Sequence, residues 1–591
     1  MTSADDNAPI PESLISAISV LDSLVRAGME HIVLCPGSRS APLAYAIAAL
    51  EQENILRAHI RLDERSASFL ALGIAKATQR PVGIVTTSGT AVGELLPAMM
   101  EAFHSGIPLL ALTADRPQQL RGTGANQTTY QPGIFTSFVR AQADLAAYPE
   151  SPAGEQTQQF SEVLAVLSGR DPENWNHSSN TPIGPAHINL CFDTPLTPPA
   201  GSAPLLTQWA NSLKKRQEYI SIPRNDTTLE SFLSEDYRPH NSYKTVVIAG
   251  DGAGPIAEQF ARKLSLPLLA EPSSQARYGE TAIEAYPKVL ESSLSEEIER
   301  VVLFGHPTLT RQIAALLHRQ DVQRAVYMNE PVSWCEPKKR DETICTTLME
   351  LAEFSGYGVG QTVHSSQSWL YRWKESGREF RQRLIKDLES YRHTGESDQR
   401  LSGMSLALEA WENALEHHEI LVCGSSNIIR DLDLIAPSKS HAPRVYASRG
   451  LAGIDGMVAT ASGISLGGYG RDTEYSSSES ADPVRLICGD LTYLYDASSL
   501  NIGPHELTPR LHIDVLDDCG GGIFATLEHG TLAQDSAYAH TVERFFRTPH
   551  RVRLEDLAHA YQLPEGMSVT IHHVEDSWQE HIKGKPSSST D

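Results

Sequence analysis

Apolar and polar positions follow two periods along the chain, and the two periods take turns. Leu14, Ile18, Leu21 and Val25 recur at helical spacing, with Pro11 ahead of them and Gly28 behind, so a helix is predicted there. A short apolar run, Ile32 to Cys35, follows and breaks at Pro36-Gly37-Ser38-Arg39-Ser40, after which Leu43 to Leu50 returns to the helical period. The same order repeats. Ala58, Ile60 and Leu62 alternate into Asp63-Glu64-Arg65-Ser66, Val82 to Thr87 runs into Ser88-Gly89-Thr90, and Leu109 to Thr113 runs into Ala114-Asp115-Arg116-Pro117. Strands alternating with helices predict a parallel, doubly wound sheet, whose ligands bind beyond the carboxyl ends of the strands. Ser38, Glu64, Ser88 and Arg116 all fall just past such ends.

After Gly184 to Phe192, the proline-rich run from Thr194 to Pro199 cannot continue a regular element, and polar sequence persists to about Asn241. A second α/β unit opens with Thr245 to Ala249, includes Val301 to Phe304, and gives way to a charged helical connector from about Ser366 to Arg400. A third begins near Leu401, with strands at Ile420 to Cys423, Val445 to Ser448, Val484 to Cys488 and Leu511 to Leu516, and a solvated insert from Arg471 to Asp482. A chain of 591 residues is too long for one core. The expected architecture is three doubly wound parallel-sheet domains, at residues 1–198, 199–395 and 396–591, with a frayed tail from Gly584.

Composition narrows the function. Acidic residues outnumber basic ones 73 to 49, a formal charge of -24, and the resulting field repels phosphate backbones and anionic lipid surfaces. Nucleic acid is therefore not an expected partner. The N-terminus lacks the basic and apolar regions of a secretory signal, and no stretch approaches the roughly 20 apolar residues that span a bilayer. The expected location is the cytoplasm, without membrane insertion. Seven cysteines, scattered and without a C-x-x-C pair, read as reduced thiols rather than a disulfide framework or a zinc site.

The chemistry concentrates at strand ends. Gly489-Asp490-Leu491-Thr492 closes one predicted strand and Asp517-Asp518-Cys519-Gly520-Gly521-Gly522-Ile523-Phe524 closes the next. Two strand ends about thirty residues apart can put a carboxylate and a second oxygen on one hard cation, while amides of a glycine-rich turn cradle a diphosphate. Asp490, Asp518 and the main-chain carbonyl of Gly520 suit Mg²⁺, with Asp517 competing for the place of Asp518. Glu64 stands at a strand end before a largely apolar helix containing Phe69, Leu70 and Leu72. A carboxylate there is poised to exchange a proton with a ring nitrogen, although the same position also complements a helix dipole. Arg39, Arg430 and Arg449 offer guanidinium groups to an anionic substrate, which needs them in so acidic a protein, and polycarboxylates become plausible. For any one of them a surface ion pair is the plainer use; Arg430 is followed by Asp431 and Asp433. In the middle unit, Gly250-Asp251-Gly252-Ala253-Gly254-Pro255 with Glu271 downstream approximates a dinucleotide fingerprint but carries Pro255 at the third glycine.

Pro36-Gly37-Ser38-Arg39-Ser40, Asp63-Glu64-Arg65, Thr87-Ser88-Gly89-Thr90-Ala91, Thr113-Ala114-Asp115-Arg116-Pro117, Gly124-Ala125-Asn126-Gln127, Ser448-Arg449-Gly450 and Gly453-Ile454-Asp455-Gly456 occur in that order. Together they resemble the 2-succinyl-5-enolpyruvyl-6-hydroxy-3-cyclohexene-1-carboxylate synthase family of menaquinone biosynthesis. The resemblance covers both outer domains, and the middle one fits by position and length.

The resemblance implies a thiamine diphosphate-dependent transferase with Mg²⁺, or Mn²⁺, as its metal, and with pyrimidine-binding, central and diphosphate-binding domains. It implies active sites between two chains, hence a homodimer or a dimer of dimers. Glu64 matches the glutamate that bonds the pyrimidine N1′, and Ile454 the apolar residue that props the two cofactor rings into a V. Ser88, Gly89, Gly489, Asp490, Leu491, Thr492, Gly521 and Ile523 complete the implied cofactor contacts. Ser38, Arg39, Asn126, Gln127, Ser426, Arg430, Arg449, Ile523 and Phe524 match the substrate site, with Arg39, Gln127, Arg430 and Arg449 joining Glu64 in catalysis. The implied reaction decarboxylates 2-oxoglutarate and adds the succinyl carbanion 1,4 to isochorismate, with release of CO₂. Leu491 and Asp518 depart from the glycine and asparagine of the wider thiamine pattern. Another carboligase or 2-oxoacid decarboxylase, acetohydroxyacid synthase-like, or a non-catalytic ligand-binding relative are the competing readings. For the central domain nothing emerges beyond spacing the outer two, although its basic residues are candidates to line a regulatory pocket.

Overall fold

The computed structural model describes residues 10–146, 153–171, 177–214, 227–239, 243–359, 367–394, 399–468 and 482–574. The insert expected at 471–482, Asp482 apart, and the tail from Gly584 lie outside them. The N-terminal sheet comprises β1 (His31–Leu34), β2 (Arg57–Ile60), β3 (Val82–Thr86), β4 (Leu109–Asp115), β5 (Ala141–Leu145) and β6 (Ala186–Cys191), ordered β2-β1-β3-β4-β6-β5. Every pairing in it is parallel. After β7 (Tyr237–Pro239) comes a middle sheet of β8 (Thr245–Ala249), β9 (Leu268–Ala270), β10 (Arg300–Phe304), β11 (Gln323–Tyr327) and β12 (Thr343–Cys345), ordered β12-β11-β10-β8-β9 and also parallel. β7 pairs antiparallel with β13 (Tyr357–Val359). The C-terminal sheet joins β14 (Ile420–Cys423), β15 (Val445–Ala447), β16 (Val484–Gly489), β17 (Leu511–Asp517) and β18 (Met567–His573) in the order β15-β14-β16-β17-β18, parallel throughout.

Each sheet is apolar on both faces, which is why its central strands read as unbroken apolar runs. In β1, Ile32 and Leu34 enter one cluster while Val33 enters another, followed by Cys35 just past the strand. In β8, Val247 and Ala249 part from Val246 and Ile248, and in β14, Leu421 and Cys423 part from Ile420 and Val422. The edge strand β2 behaves differently. It ends at Ile60, and Leu62, expected to continue its alternation, is 71% exposed.

Two helices pack in ways the apolar pattern does not suggest. Residues 203–214, inside the stretch read as polar and beyond the boundary expected at 198, form a helix whose Leu206, Ala210 and Leu213 join the first core. The long helix Gln367–Thr394 buries Trp369 and Trp373 in the middle core and Leu388 in the third. The glycine loop after β8 is closed. The amides of Gly250, Asp251, Ala253 and Gly254 donate to Phe304, His306, Gly250 and Ser274 carbonyls at 2.9, 3.1, 3.1 and 2.9 Å. A phosphate finds no free cradle in those four amides. Among the described residues no helix is long and apolar enough to cross a membrane, and all seven cysteines are free thiols.

The outer units meet through the helices Glu64–Thr78 and Met457–Leu466, the second of them buried along its whole length. Their backbones touch. A Cβ on Gly73 would lie 2.2 Å from the Thr460 carbonyl oxygen, and one on Gly463 2.2 Å from that of Leu70. Gly73→Ala must therefore push the helices apart, and overpacking of this kind costs about 1–3 kcal/mol. The thermal unfolding midpoint of Gly73→Ala is expected to fall by several degrees, whereas Gly93→Ala, whose Cβ would meet nothing within 4 Å, leaves it near that of the parent.

Candidate functional site

Three strand ends of the N-terminal sheet build a polar cluster. Arg116, just past β4, donates from Nη1 to the Ser88 hydroxyl and to the Gln127 carbonyl, both at 2.6 Å. Ser88 donates to the same carbonyl at 3.1 Å, and Gln127 returns its Nε2 to the Ser88 carbonyl at 2.9 Å. The turn needs Gly89, whose φ is +91°, and Gly89 donates its N–H to Gln131 Oε1 at 3.0 Å. Arg39, past β1, donates to the Phe192 carbonyl at 2.8 Å. Burial, then the neighbouring Arg116, lowers its pKa from the ordinary arginine range. Ser38 and Asn126 are exposed on the rim. Arg116 is the hub of this cluster, a role its position past a strand end did not by itself reveal.

Glu64 opens the helix that follows β2, capped by the Asp63 carboxylate, which accepts the N–H groups of Arg65 and Ser66 at 3.0 and 3.2 Å. Its neighbours are all committed to one segment of the C-terminal unit. Ser498 donates to Asp63 at 2.6 Å, Arg65 donates to the Tyr495 carbonyl at 2.8 Å, and the Ser66 and Ser499 hydroxyls meet at 2.7 Å. The Glu64 carboxylate, half-buried, makes no hydrogen bond or ion pair with the described residues. It is close enough to Cys35 to help burial push that thiol up.

The ends of β16 and β17 form the second cluster. Asp490, buried, accepts the N–H of Leu491 at 2.6 Å on one oxygen and that of Gly520 at 2.7 Å on the other. His550 reaches Asp490 at 2.9 Å and Asp517 at 3.8 Å, so Asp490, Asp517 and His550 could hold a cation between them. Burial raises the Asp490 carboxyl above its ordinary range. The Asp518 side chain is outside that trio, and its main-chain oxygen accepts from Arg547 at 3.4 Å. Asp517 also accepts the Cys519 N–H at 3.1 Å and faces His573 Nδ1 at 3.0 Å. Gly520, φ +143°, sits where a Cβ would lie 2.6 Å from the Arg547 carbonyl, so that turn requires glycine. Gly489 has open space beside it. Thr492 is buried, Ile523 half-buried, and Phe524 packs edge-on to His529 and Phe546.

The remaining arginines stand past β14 and β15. Arg430 folds back on the Ser426 carbonyl at 2.7 Å, and its pKa is lowered by burial and then by Arg449. Arg449 is held by Thr308 of the middle unit, at 2.8 Å from Nη2 and 3.1 Å from Nε. The Glu101 carboxylate of the N-terminal unit accepts the N–H groups of Gly450 and Leu451 at 2.9 and 2.7 Å. Behind them, Asp433 takes Arg277 at 3.0 Å and the Tyr286 hydroxyl at 2.8 Å, all three buried. Burial pushes Asp433 up to about 6 and Glu271 up to about 8.

Within one chain the structure thus gathers Arg39, Arg116, Ser88 and Gln127 in one place, and Asp490, Leu491, Asp517, Gly520 and His550 in another. Among the described residues no hydrogen bond or ion pair joins Glu64 to Asp490, and Ile454 is left 37% exposed. His550 is the member that sequence reasoning missed, brought to Asp490 by a hydrogen bond that spans 60 residues of sequence, and Asp517, the alternative to Asp518, is the aspartate that stands in the trio.

Residues 17–134 match the family described as thiamine pyrophosphate enzyme, N-terminal TPP binding domain. The chain is 43% identical to the 2-succinyl-5-enolpyruvyl-6-hydroxy-3-cyclohexene-1-carboxylate synthase of Renibacterium salmoninarum over 97% of its own length and 93% of that protein's. The synthase of the same name from Paenarthrobacter aurescens is 41% identical over 99% of this chain and 94% of its own. The chain belongs to the 2-succinyl-5-enolpyruvyl-6-hydroxy-3-cyclohexene-1-carboxylate synthase family.

Glu271 allows a test of the buried junction. Its folded carboxyl holds a proton to about pH 8, whereas the ordinary value is 4.5. Between those values unfolding releases a proton, so the native state loses stability as pH rises through that window. Glu271→Gln removes the titration and keeps a carbonyl for the Leu309 N–H. The variant is expected to melt above the parent at pH 8 and to lose that advantage near pH 4.5, as read by thermal unfolding across the range.

Proposed function

We propose that this chain is a thiamine diphosphate-dependent transferase that decarboxylates 2-oxoglutarate and adds the succinyl unit 1,4 to isochorismate, releasing CO₂ and forming 2-succinyl-5-enolpyruvyl-6-hydroxy-3-cyclohexene-1-carboxylate. The observation that carries the reading is the nearly end-to-end match to synthases of that name. When bound, thiamine diphosphate supplies a nucleophilic carbon and a sink for the electrons that decarboxylation leaves behind.

The chain's own residues do the rest. Glu64, with its flanking residues tied down and its carboxylate uncommitted among the described residues, would bond the pyrimidine N1′ and hold the proton there. Ile454 offers the rings an apolar prop. Asp490 and Asp518 with the Gly520 carbonyl hold Mg²⁺, a hard cation suited to an all-oxygen set. Asp518 is given that place by register, two residues before Gly520, with Asp517 as the alternative, and room beside Gly489 fits the diphosphate. Ser88, Gly89, Leu491, Thr492, Gly521 and Ile523 line the cofactor.

Substrate carboxylates go to Arg39, Arg430 and Arg449, each able to grip one through two hydrogen bonds. Ser38, Asn126, Gln127 and Ser426 add polar contacts, and Ile523 and Phe524 an apolar wall. Conjugate addition has no proton to move before the new bond forms, so orientation by these groups governs it. Two chains complete one site, Glu64 of one facing the Asp490 cluster of the other, in a homodimer or a dimer of dimers in the cytoplasm.

Incubation of the cofactor-loaded protein with 2-oxoglutarate and isochorismate is expected to yield CO₂ and the ligated cyclohexene carboxylate in equal amounts, read by mass spectrometry. Carbon dioxide without ligated product would instead mark a 2-oxoacid decarboxylase, and neither product a non-catalytic relative.

A further inference from the structure

Of the three arginines assigned to substrate, Arg449 alone is fully enclosed in the chain, at 4% exposure. Its guanidinium is gripped from another unit. Nε and Nη2 donate to the Thr308 hydroxyl oxygen at 3.1 and 2.8 Å, and Nη2 donates again to the Thr308 carbonyl at 3.0 Å. The remaining nitrogen, Nη1, is buried without a partner among the described residues. A buried donor left unsatisfied is costly, and an arriving carboxylate relieves that cost. Because the guanidinium is planar, fixing two of its nitrogens on Thr308 also fixes the direction of the third.

Thr308 is itself held in place. It lies in the loop after β10, where Asp251 and His306 exchange backbone hydrogen bonds at 3.1 and 2.8 Å. The next residue, Leu309, donates its N–H to Glu271 Oε1 at 2.8 Å, and Glu271 is 1% exposed. On the opposite side Glu101 fixes the main chain immediately after Arg449. We infer that Thr308, backed by Glu271, is a positioning residue that presets Arg449 to receive a substrate carboxylate, so that the middle unit takes part in substrate binding. The inference rests on the reading of Arg449 as a carboxylate clamp. It assigns the middle unit a task that its sequence does not announce: the acceptor that aims the arginine is a threonine in a loop, 141 residues away along the chain.

Steady-state constants for both substrates, measured with the enzyme loaded with thiamine diphosphate and Mg²⁺, test it. Thr308→Val preserves shape and removes the hydroxyl oxygen. It is expected to raise by about tenfold the KM of the same substrate whose KM rises in Arg449→Ala, since the hydroxyl that accepts from both Nε and Nη2 is gone and only the carbonyl still holds the guanidinium. The cofactor dissociation constant is expected to stay unchanged. Thr308→Ser restores the parent KM. Glu271→Ala, which leaves Thr308 and Arg449 intact, raises that KM by a second route, whereas Glu271→Gln does not. Calorimetric binding of the same substrate follows the same order without turnover. If Arg449→Ala raises a KM that neither Thr308→Val nor Glu271→Ala moves, the positioning role is overturned while the clamp stands. If Arg449→Ala leaves both KM values unchanged, the clamp falls and the inference falls with it.

Discussion

The structure depends on two helices that approach until their backbones touch. At Gly73 and Gly463 there is no room for a side chain, and this closeness lets many weak dispersion contacts add up across the junction. The consequence runs along the first helix to its start. Because its body is fixed against the C-terminal unit, its first turn can reach the segment around Tyr495 and Ser499, and Asp63, Arg65 and Ser66 are all consumed there. Among the described residues, Glu64 is the one of that turn whose carboxylate has no hydrogen bond or ion pair. A packing constraint far down the helix thus presents one acid, and the proposed proton transfer uses it.

A protein of net charge -24 must overcome its own field to hold an anion. It places guanidinium groups in like-charged pairs at strand ends. Arg39 feels Arg116, and Arg430 feels Arg449, and in both cases burial and the neighbouring cation make the protonated form less comfortable. Such pairs are unfavourable alone and are relieved by a carboxylate between or beside them. The general acidic field repels phosphate polymers, and in the proposed function these local sites receive small carboxylates.

Much of the fold is legible in the sequence because parallel strands buried on both faces read as apolar runs followed by turn residues. β1, β3, β4, β8, β14, β16 and β17 are of that kind. β5 and β18 are edge strands, half-covered, and their polar residues hide them. The 203–214 helix hides for another reason: its apolar stripe, Leu206, Ala210 and Leu213, follows a proline-rich run that looks like a linker. The site divides the same way. Residues just past strand ends can be named from local sequence, as Glu64, Ser88, Arg116 and Asp490 were. Partners delivered by distant segments cannot, and His550 on Asp490, Glu101 on Gly450 and Thr308 on Arg449 all belong to that group.

The proposed role of Glu64 is tested most directly on the cofactor itself. Exchange of the thiamine diphosphate C2 proton for deuterium, quenched in acid and read by NMR, separates activation from every later step. The account predicts that the protein accelerates this exchange and that Glu64→Gln, still binding the cofactor, slows it by about 10²–10⁴-fold, the range of positioned acid–base catalysis. Exchange in Glu64→Gln as fast as in the parent would contradict it.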